Sequence, residues 1–244
     1  MESQMQPAPQ MPKKKDVKKK KKTNILYKTT KKGKHVSGVI NFARLCVLPF
    51  FWLFKPFRFY GKRKVKDGAC LYVCNHYTLL DFVYPMYTTW EGIHYIAKKE
   101  NFETPLLRNL FRGIKAICVN RDGADVRGML DAFKCLKNGQ KVAIFPEGTR
   151  NKQEVEMLPF HHGASVIAIK NRVPIVPIML YKKPRLFRMT HVLVGEPFEL
   201  TEYYEASMTP QEIEDADNKI LEVMLNLRKA HTEYLQNKKK GKKS

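Results

Sequence analysis

From Lys66 onward, short apolar runs alternate with longer segments whose apolar residues repeat at helical spacing. Strands and helices that alternate in this way form a sheet whose faces are covered by the helices. The pattern therefore predicts an α/β fold, although it does not fix the order of the strands. The six predicted strands are Ala69–Cys74, His94–Ala97, Ala116–Val119, Lys141–Phe145, Ile175–Tyr181 and His191–Val194.

Four helices are predicted from the periodic segments, and three of them have recognisable ends. Thr104 is a candidate N-cap with Pro105 in the first turn, and Gly139 follows another helix as a C-terminal signal. Thr209 and Glu212 have the spacing of a capping box. The predicted helices are Thr104–Phe111, Ala124–Lys137, Phe160–Asn171 and a last helix that runs from Thr209 towards Gln236.

Residues 36–60 form the most apolar stretch of the chain. A helix over Val36–Phe54 would be roughly 28 Å long, close to the ~30 Å of the hydrocarbon layer. However, Arg44 near its centre would cost ~2.5–3.5 kcal/mol on insertion scales, and Pro49 interrupts the helix. Cations also flank both ends of the stretch. We therefore predict a segment that lies in the membrane interface, with a buried core helix as the alternative.

The formal net charge of +22 is concentrated at the two ends of the chain. Residues 13–34 contain 12 Lys and one Asp, and residues 238–243 contain 5 Lys. With Glu2 included the ends carry +15, which leaves +7 for residues 35–237. Such lysine runs bury no apolar surface and attract anionic lipid or nucleic acid without sequence preference.

Composition and hydropathy together predict four regions along the chain. They are a disordered Lys-rich tail over residues 1–35, an interfacial amphipathic segment over residues 36–62, a folded domain over residues 63–236 and a basic tail over residues 237–244.

The five cysteines are odd in number and mostly lie in apolar runs, which indicates free thiols in a reducing compartment. Cys70 and Cys74 are spaced C-x3-C, but no second pair of cysteines or histidines follows to complete a zinc site. We therefore predict no metal site. The chain also lacks the G-x-S-x-G, Walker A and G-x-G-x-x-G patterns, which disfavours a serine nucleophile, nucleotide hydrolysis and nicotinamide chemistry.

The sequence "NHYTLLD", from Asn75 to Asp81, directly follows the predicted strand Ala69–Cys74. Ligands of open α/β sheets bind beyond the carboxyl ends of the strands, which places His76 at a candidate site. A neutral imidazole can take a proton from a hydroxyl when a carboxylate holds its other nitrogen, and Asp81 can fold back across a turn to do so. The spacing alone is weak evidence, since chance gives it in about one chain in four of this composition.

Two further polar clusters follow predicted strands. In "FPEGTRN", residues 145–151, Gly148 permits a tight turn, Thr149 offers a hydroxyl and Arg150 presents a planar fork of donors suited to phosphate. Glu147 could anchor a substrate hydroxyl or pair with an arginine, and an ordinary turn is the alternative. In "NRDG", residues 120–123, Arg121 is predicted at the same edge of the sheet, with a solvated turn as the alternative.

The blocks "NHYTLLD", "NRDG", "FPEGTRN" and "VPIVPI" (residues 173–178) occur in the order and rough spacing of the glycerolipid acyltransferase family. Over about residues 60–200 the chain resembles the bacterial type of 1-acyl-sn-glycerol-3-phosphate acyltransferases. The resemblance implies a single mixed sheet flanked by helices, of the glycerol-3-phosphate acyltransferase type, preceded by a segment that docks on the membrane. It implies that the catalytic residues are His76 and Asp81, and that the acceptor-binding residues are Arg121, Glu147, Gly148, Thr149 and Arg150.

The implied reaction transfers an acyl group from acyl-CoA or acyl carrier protein to the free sn-2 hydroxyl of 1-acyl-sn-glycerol 3-phosphate, giving phosphatidic acid for phospholipid biosynthesis. The thioester is a co-substrate, and no cofactor is expected. The expected partners are the lysophospholipid, the thioester and an anionic membrane surface, without a specific nucleic acid. The expected location is the cytoplasmic face of a membrane, with peripheral or monotopic attachment.

Two residues depart from the family pattern. His161 in "FHHG" stands where many relatives have Lys, which puts one phosphate contact in doubt, and Thr78 stands where Ser is frequent. Two alternative functions remain open. The acceptor could be another lysolipid, or the chain could be a basic protein that binds nucleic acid or membranes through its tails, although the +7 of its body argues against the second.

Overall fold

The computed structural model describes residues 28–29, 35–36, 45, 49–62, 68–120, 126–153, 155–161 and 163–241. Most of the lysine-rich tail and much of the apolar segment lie outside these ranges. Within them, Lys28–Thr29 (β1) and His35–Val36 (β2) pair as two short antiparallel strands.

Seven strands form one sheet with the order β3-β9-β8-β4-β7-β5-β6. Five strands run parallel to one another, while β9 is antiparallel to β8 and β3 is parallel to β9. This arrangement confirms the predicted single mixed sheet. The strands are β3 (Phe57–Gly61), β4 (Cys70–Cys74), β5 (Ile93–Lys98), β6 (Ile117–Val119), β7 (Lys141–Ile144), β8 (Ile175–Leu180) and β9 (Thr190–Val194).

Helices cover both faces of the sheet. Helices α2 and α3 lie over one face, and α4, α5 and α6 lie over the other. None of the helices described is both long enough and apolar enough to cross a membrane. The helices are α1 (residues 49–54), α2 (Val83–Met86), α3 (Pro105–Gly113), α4 (Val126–Lys137), α5 (Ala164–Asn171) and α6 (Pro210–Lys240), and short 3-10 turns span Leu79–Phe82, Lys99–Phe102 and Thr201–Tyr203.

Strand β4 lies at the centre of the sheet and is buried at every residue. Successive side chains of a strand point to opposite faces. Tyr72 accordingly belongs to the core beneath α2 and α3, while Leu71 and Val73 belong to the core beneath α4, α5 and α6. Burial on both faces explains why β4 is a continuous apolar run in the sequence.

The predicted helix ends agree with the structure in part. Thr209 and Glu212 form the predicted capping box, and α6 continues past Gln236 to Lys240. Helix α5 begins at Ala164, whereas the sequence predicts a start at Phe160. The reason is that the N–H of His161 donates to the carbonyl of Pro146, at 2.9 Å, which holds this stretch against the loop after β7.

Residues 57–61 differ from the predicted interfacial segment over residues 36–62. They form β3, which pairs with β9 along its whole length from Phe57 to Gly61. Phe57 and Phe59 pack into the core, and their rings meet edge to face at 5.5 Å. The sheet therefore includes residues that precede the predicted domain start at residue 63.

A buried ion pair lies at the amino end of β7, opposite the carboxyl edge of the parallel strands. Lys141 is fully buried, and its ammonium donates to the carbonyl of Gly68 at 2.8 Å. The same ammonium lies 3.4 Å from Glu91 Oε2. Removing one partner of such a pair leaves an uncompensated charge in the interior.

We therefore expect Glu91→Ala to lower the free energy of unfolding by about 3–5 kcal/mol. Asp131→Ala is the matched control, because Asp131 pairs with Lys134 on the surface and exposed pairs contribute about 0–1 kcal/mol. Urea unfolding followed by circular dichroism measures both. An equal decrease in the free energy of unfolding of the two variants would contradict the expectation that the buried pair is the more important one.

Candidate active site

The candidate site lies at the carboxyl edge of two neighbouring strands. His76 follows β4 and Glu147 follows β7, and these strands are parallel and adjacent. Asn75 fixes the point where the chain leaves β4, because its side chain forms two hydrogen bonds with the main chain of Leu180. Its amide donates to the Leu180 carbonyl at 3.1 Å, and its oxygen accepts from the Leu180 N–H at 2.8 Å.

The carboxylate of Asp81 organises the turn that follows His76. Its Oδ2 accepts from the main-chain N–H groups of Tyr77 and Thr78, both at 2.6 Å. Its Oδ1 accepts from the hydroxyl of Thr78 at 2.6 Å. The same Oδ2 lies 3.1 Å from Nδ1 of His76. The fold-back predicted from the five-residue spacing is therefore present, and Asp81 is buried.

The imidazole of His76 is fixed by ring stacking as well as by its contact with Asp81. Its ring stacks on the ring of Phe145, with centroids 4.3 Å apart and planes inclined by 27°. The side chain is 19% exposed, so part of it is accessible to solvent. Because Nδ1 faces the carboxylate, a neutral ring carries its proton there, and Nε2 retains the lone pair that can accept a proton.

Glu147 is a buried bridge between two parts of the main chain. Its Oε1 accepts from the N–H of His76 at 2.7 Å, and its Oε2 accepts from the N–H of Leu158 at 2.9 Å. Burial raises the pKa of the Glu147 carboxyl, and these two N–H donors partly offset the rise. The contacts are those of a residue that positions His76.

Asn151 holds the main chain of His76 from the other side. Its N–H donates to the carbonyl of His76 at 2.6 Å, and its side-chain amide donates to the carbonyl of Val155 at 3.1 Å. Together Glu147 and Asn151 bind both the N–H and the C=O of His76. The loop after β7 therefore fixes the backbone from which the imidazole projects.

The remaining predicted residues of this loop lie at its tip. Gly148 has a φ of +63° and its N–H donates to the carbonyl of Phe145 at 3.0 Å, which closes a tight turn that glycine adopts readily. Thr149 and Arg150 follow and are exposed. Arg150 therefore lies in the loop at the same edge of the sheet as His76, with its side chain exposed.

Arg121 lies outside the described residues, so its place relative to His76 is not described. The strand before it, β6, is separated from β4 by β7 and β5. Three strand spacings correspond to about 14 Å. His161, the departure from the family pattern, lies in the described part of the chain and is exposed.

Three residues of the site are absent from the predicted set: Asn75, Phe145 and Asn151. All three lie inside the quoted motifs, but only Asn75 is next to His76 in the sequence, so membership of a motif was the available signal for Phe145 and Asn151. Their partners are main-chain groups or a ring far along the chain, as between Asn75 and Leu180, and such partners are not encoded by spacing. Among the described residues, no cluster of three or more His, Cys, Asp or Glu side chains could hold a metal ion.

A comparison with protein families matches residues 56–181 to the model described as Acyltransferase. The chain belongs to the acyltransferase family. The match begins immediately before β3 and ends immediately after β8, so it contains all of the site residues above. The first matched residue, 56, also agrees with β3 being the first strand of the seven-stranded sheet along the chain.

Curated relatives of this chain include a Helicobacter pylori protein named 1-acyl-sn-glycerol-3-phosphate acyltransferase. It is 36% identical over 124 residues, which are 49% of this chain and 52% of the relative. A Bacillus subtilis protein of the same name is 29% identical over 178 residues, or 63% of this chain and 84% of the relative. The chain thus spans about half the length of the first relative and most of the second.

A solved structure shows the same fold. The crystal structure of the 1-acyl-sn-glycerophosphate (LPA) acyltransferase from Thermotoga maritima has a TM-score of 0.59 and 22% sequence identity, and the match covers 79% of each chain. At this identity the likeness concerns the fold alone.

We expect Glu147→Ala to lower the free energy of unfolding by about 1–3 kcal/mol, because two main-chain N–H groups lose their acceptor. The exposed neighbour gives a matched control, since Thr149→Ala should stay within about 0.5 kcal/mol of the parent. Urea unfolding measures both. An unchanged stability of Glu147→Ala combined with a raised KM for one substrate would instead make Glu147 a substrate contact.

Proposed function

We propose that this acyltransferase transfers an acyl group from a thioester to the sn-2 hydroxyl of 1-acyl-sn-glycerol 3-phosphate, and that the product is phosphatidic acid. The observation that carries the proposal is the contact between His76 Nδ1 and the buried carboxylate of Asp81, which leaves Nε2 as a base at an open sheet edge. The names of the bacterial, plant and human relatives support this choice of acceptor.

In the proposed reaction His76 acts as a general base. Nε2 takes the proton of the acceptor hydroxyl while the oxygen attacks the thioester carbonyl. The tetrahedral intermediate then collapses with cleavage of the C–S bond, and the imidazolium returns its proton to the departing thiolate. Asp81 stabilises the positive ring during both steps and keeps its orientation. The acyl group passes directly to the acceptor, without an acyl-enzyme.

The acceptor's phosphate is proposed to bind at the tip of the loop after β7. Arg150 presents a bidentate guanidinium there, and Thr149 offers a hydroxyl beside it. The family resemblance adds Arg121 as a second cation. Glu147 and Gly148 are proposed to shape this surface from beneath, since both are buried.

The donor is proposed to be acyl-CoA or acyl carrier protein. Its thioester already carries the activated acyl group, so the reaction as written uses no further cofactor. The acceptor is a membrane lipid, so the carboxyl edge of the sheet is proposed to meet an anionic membrane at the cytoplasmic face. Attachment would be peripheral or monotopic, with the segment around residues 36–56 and the lysine-rich ends contributing.

Another lysolipid acceptor is the alternative, because an arginine fork recognises any acidic head group. The test measures the rate at which the purified chain acylates lysophosphatidic acid and a zwitterionic lysolipid. Each acceptor is assayed with acyl-CoA and with acyl carrier protein as the donor. Faster acylation of the zwitterionic lipid would contradict the proposed acceptor. Salt-sensitive binding of DNA without any acyl transfer would instead favour a nucleic-acid-binding protein.

We expect His76→Ala to reduce kcat by about 10²–10⁴-fold, the usual contribution of a general base. Asp81→Asn should fall in the same range, because an amide can still accept from Tyr77 and Thr78 but cannot stabilise a charged imidazole. Both variants should keep the parent's circular dichroism spectrum. Asp131→Asn, a surface carboxylate on α4, is the matched control, and near-parent turnover by either folded variant would contradict the assignment.

We expect Arg150→Ala to raise the KM of lysophosphatidic acid by roughly 10–100-fold, because a charge-assisted phosphate contact contributes about 1.5–3 kcal/mol. The KM of the thioester should change little. Lys152→Ala removes an exposed cation two residues away and serves as the control. An equal rise in both constants would show that Arg150 has a structural role.

A further inference from the structure

Residues 182–189, which form most of the connection between β8 and β9, lie at the same edge of the sheet as His76. Strand β8 is parallel to β4, so its last residue, Leu180, ends at the carboxyl edge. The side chain of Asn75 binds the main chain of Leu180, two residues before this connection begins. The segment, called here the 182–189 loop, therefore starts beside the residue that precedes His76.

The 182–189 loop contacts α1, which reaches the same edge because β3 is parallel to β9. The N–H of Phe187 donates to the carbonyl of Phe54 at 2.7 Å, and the two rings lie 5.8 Å apart. The N–H of Thr190 donates to the carbonyl of Pro56 at 2.8 Å. The loop and α1 thus form one continuous surface.

This surface exposes large apolar side chains. Leu186 is 61% exposed and Phe187 is 69% exposed, and Met189 is also exposed. On the neighbouring helix the exposed apolar residues are Phe50, Trp52, Leu53 and Phe54. A contiguous apolar patch of this kind on a soluble surface marks an interaction site.

Phe187 is held in a conformation that bulky residues rarely adopt. Its φ is +56°, in the left-handed region that favours glycine and asparagine. The backbone at Phe187 is therefore strained while its ring remains largely in solvent. The hydrogen bond from its N–H to Phe54 holds this conformation and keeps the ring at the surface of the loop.

Four cations flank these apolar residues along the loop: Lys182, Lys183, Arg185 and Arg188. All four are exposed, and none pairs with a carboxylate among the described residues. The loop contains no acidic residue. Exposed apolar side chains flanked by exposed cations match the chemistry of an anionic bilayer, in which acyl chains lie beneath negatively charged head groups.

We propose that the 182–189 loop inserts Leu186, Phe187 and Met189 into the interface of an anionic lipid bilayer, as a second membrane contact beside α1. The proposal rests on the proposed function, because it explains how a lipid acceptor reaches His76. Two contacts at one edge fix the orientation of the sheet on the membrane. One contact through α1 alone leaves the domain free to rotate about that helix.

The first test measures binding of the full chain to vesicles of phosphatidylcholine with about 30% phosphatidylglycerol, which are then sedimented. The buffer has about physiological ionic strength. The triple variant Leu186→Ser/Phe187→Asn/Met189→Gln removes the three exposed apolar side chains of the loop. Asparagine is chosen at position 187 because it tolerates the left-handed backbone there. Each buried methylene contributes about fourfold to membrane affinity, so the partition coefficient should fall at least about tenfold. Leu130→Ser, at an exposed apolar position on α4, is the matched control and should bind like the parent.

The second test separates charge from apolar insertion. Arg185→Glu/Arg188→Glu should lower the partition coefficient by about two orders of magnitude or more on the anionic vesicles, since each cation near the surface contributes about fivefold. Binding to pure phosphatidylcholine should change far less. Lys137→Glu/Lys170→Glu makes the same charge change at the C-terminal ends of α4 and α5 and should have a smaller effect on anionic vesicles.

The third test reports contact with acyl chains directly. The fluorescence of Phe187→Trp should be quenched by brominated phosphatidylcholine more strongly than that of Leu130→Trp, each corrected for the parent's own tryptophans. Parent-like binding by the triple variant, or equal quenching at positions 187 and 130, would overturn the proposal. So would a concentration-dependent dimer that the triple variant abolishes while vesicle binding is retained, because the occupant of the surface would then be a second copy of the chain.

Activity distinguishes failure of this inference from failure of the proposed function. The triple variant should keep parent activity on acceptor dispersed in detergent and lose activity on acceptor in vesicles. A parent chain that binds vesicles through the loop but acylates no lysolipid would contradict the proposed function alone. Equal activity of parent and triple variant in both assays would contradict the inference alone.

Discussion

The carboxylate of Asp81 is the interaction on which the site depends. It accepts from two main-chain N–H groups and one hydroxyl, and it faces the imidazole of His76. A turn alone would leave these N–H groups to water, and a carboxylate alone would be costly to bury. Each therefore stabilises the other, and the position of the histidine ring follows from a local structure that is stable without substrate.

The second constraint is the loop after β7, which binds the main chain of His76 through Glu147 and Asn151. The first constraint is local, within six residues, while the second joins His76 to residues 71 and 75 positions later in the chain. Parallel pairing of β4 with β7 brings the two together. The sheet thus acts on the site through the register of two central strands.

These two constraints also separate what the sequence predicts from what it does not. The contact between His76 and Asp81 is predictable, because both residues lie in one turn after a buried strand. The bridging role of Glu147 is not, because its partners are main-chain N–H groups, which every residue except proline possesses. Strand β3 escaped prediction for a related reason: "FRFYG" is compatible with an interfacial segment and with a strand, and only pairing with β9, about 130 residues later, decides between them. Arg121 stays a prediction from the family pattern.

The side chain of Asn75 has a mechanical consequence. Its two hydrogen bonds tie the end of β8 to the residue before His76, so the start of the 182–189 loop and the imidazole share one support. A shift of the end of β8 would therefore be passed to the main chain that carries the imidazole. The Asn75 amide thus couples the position of the loop to the position of His76.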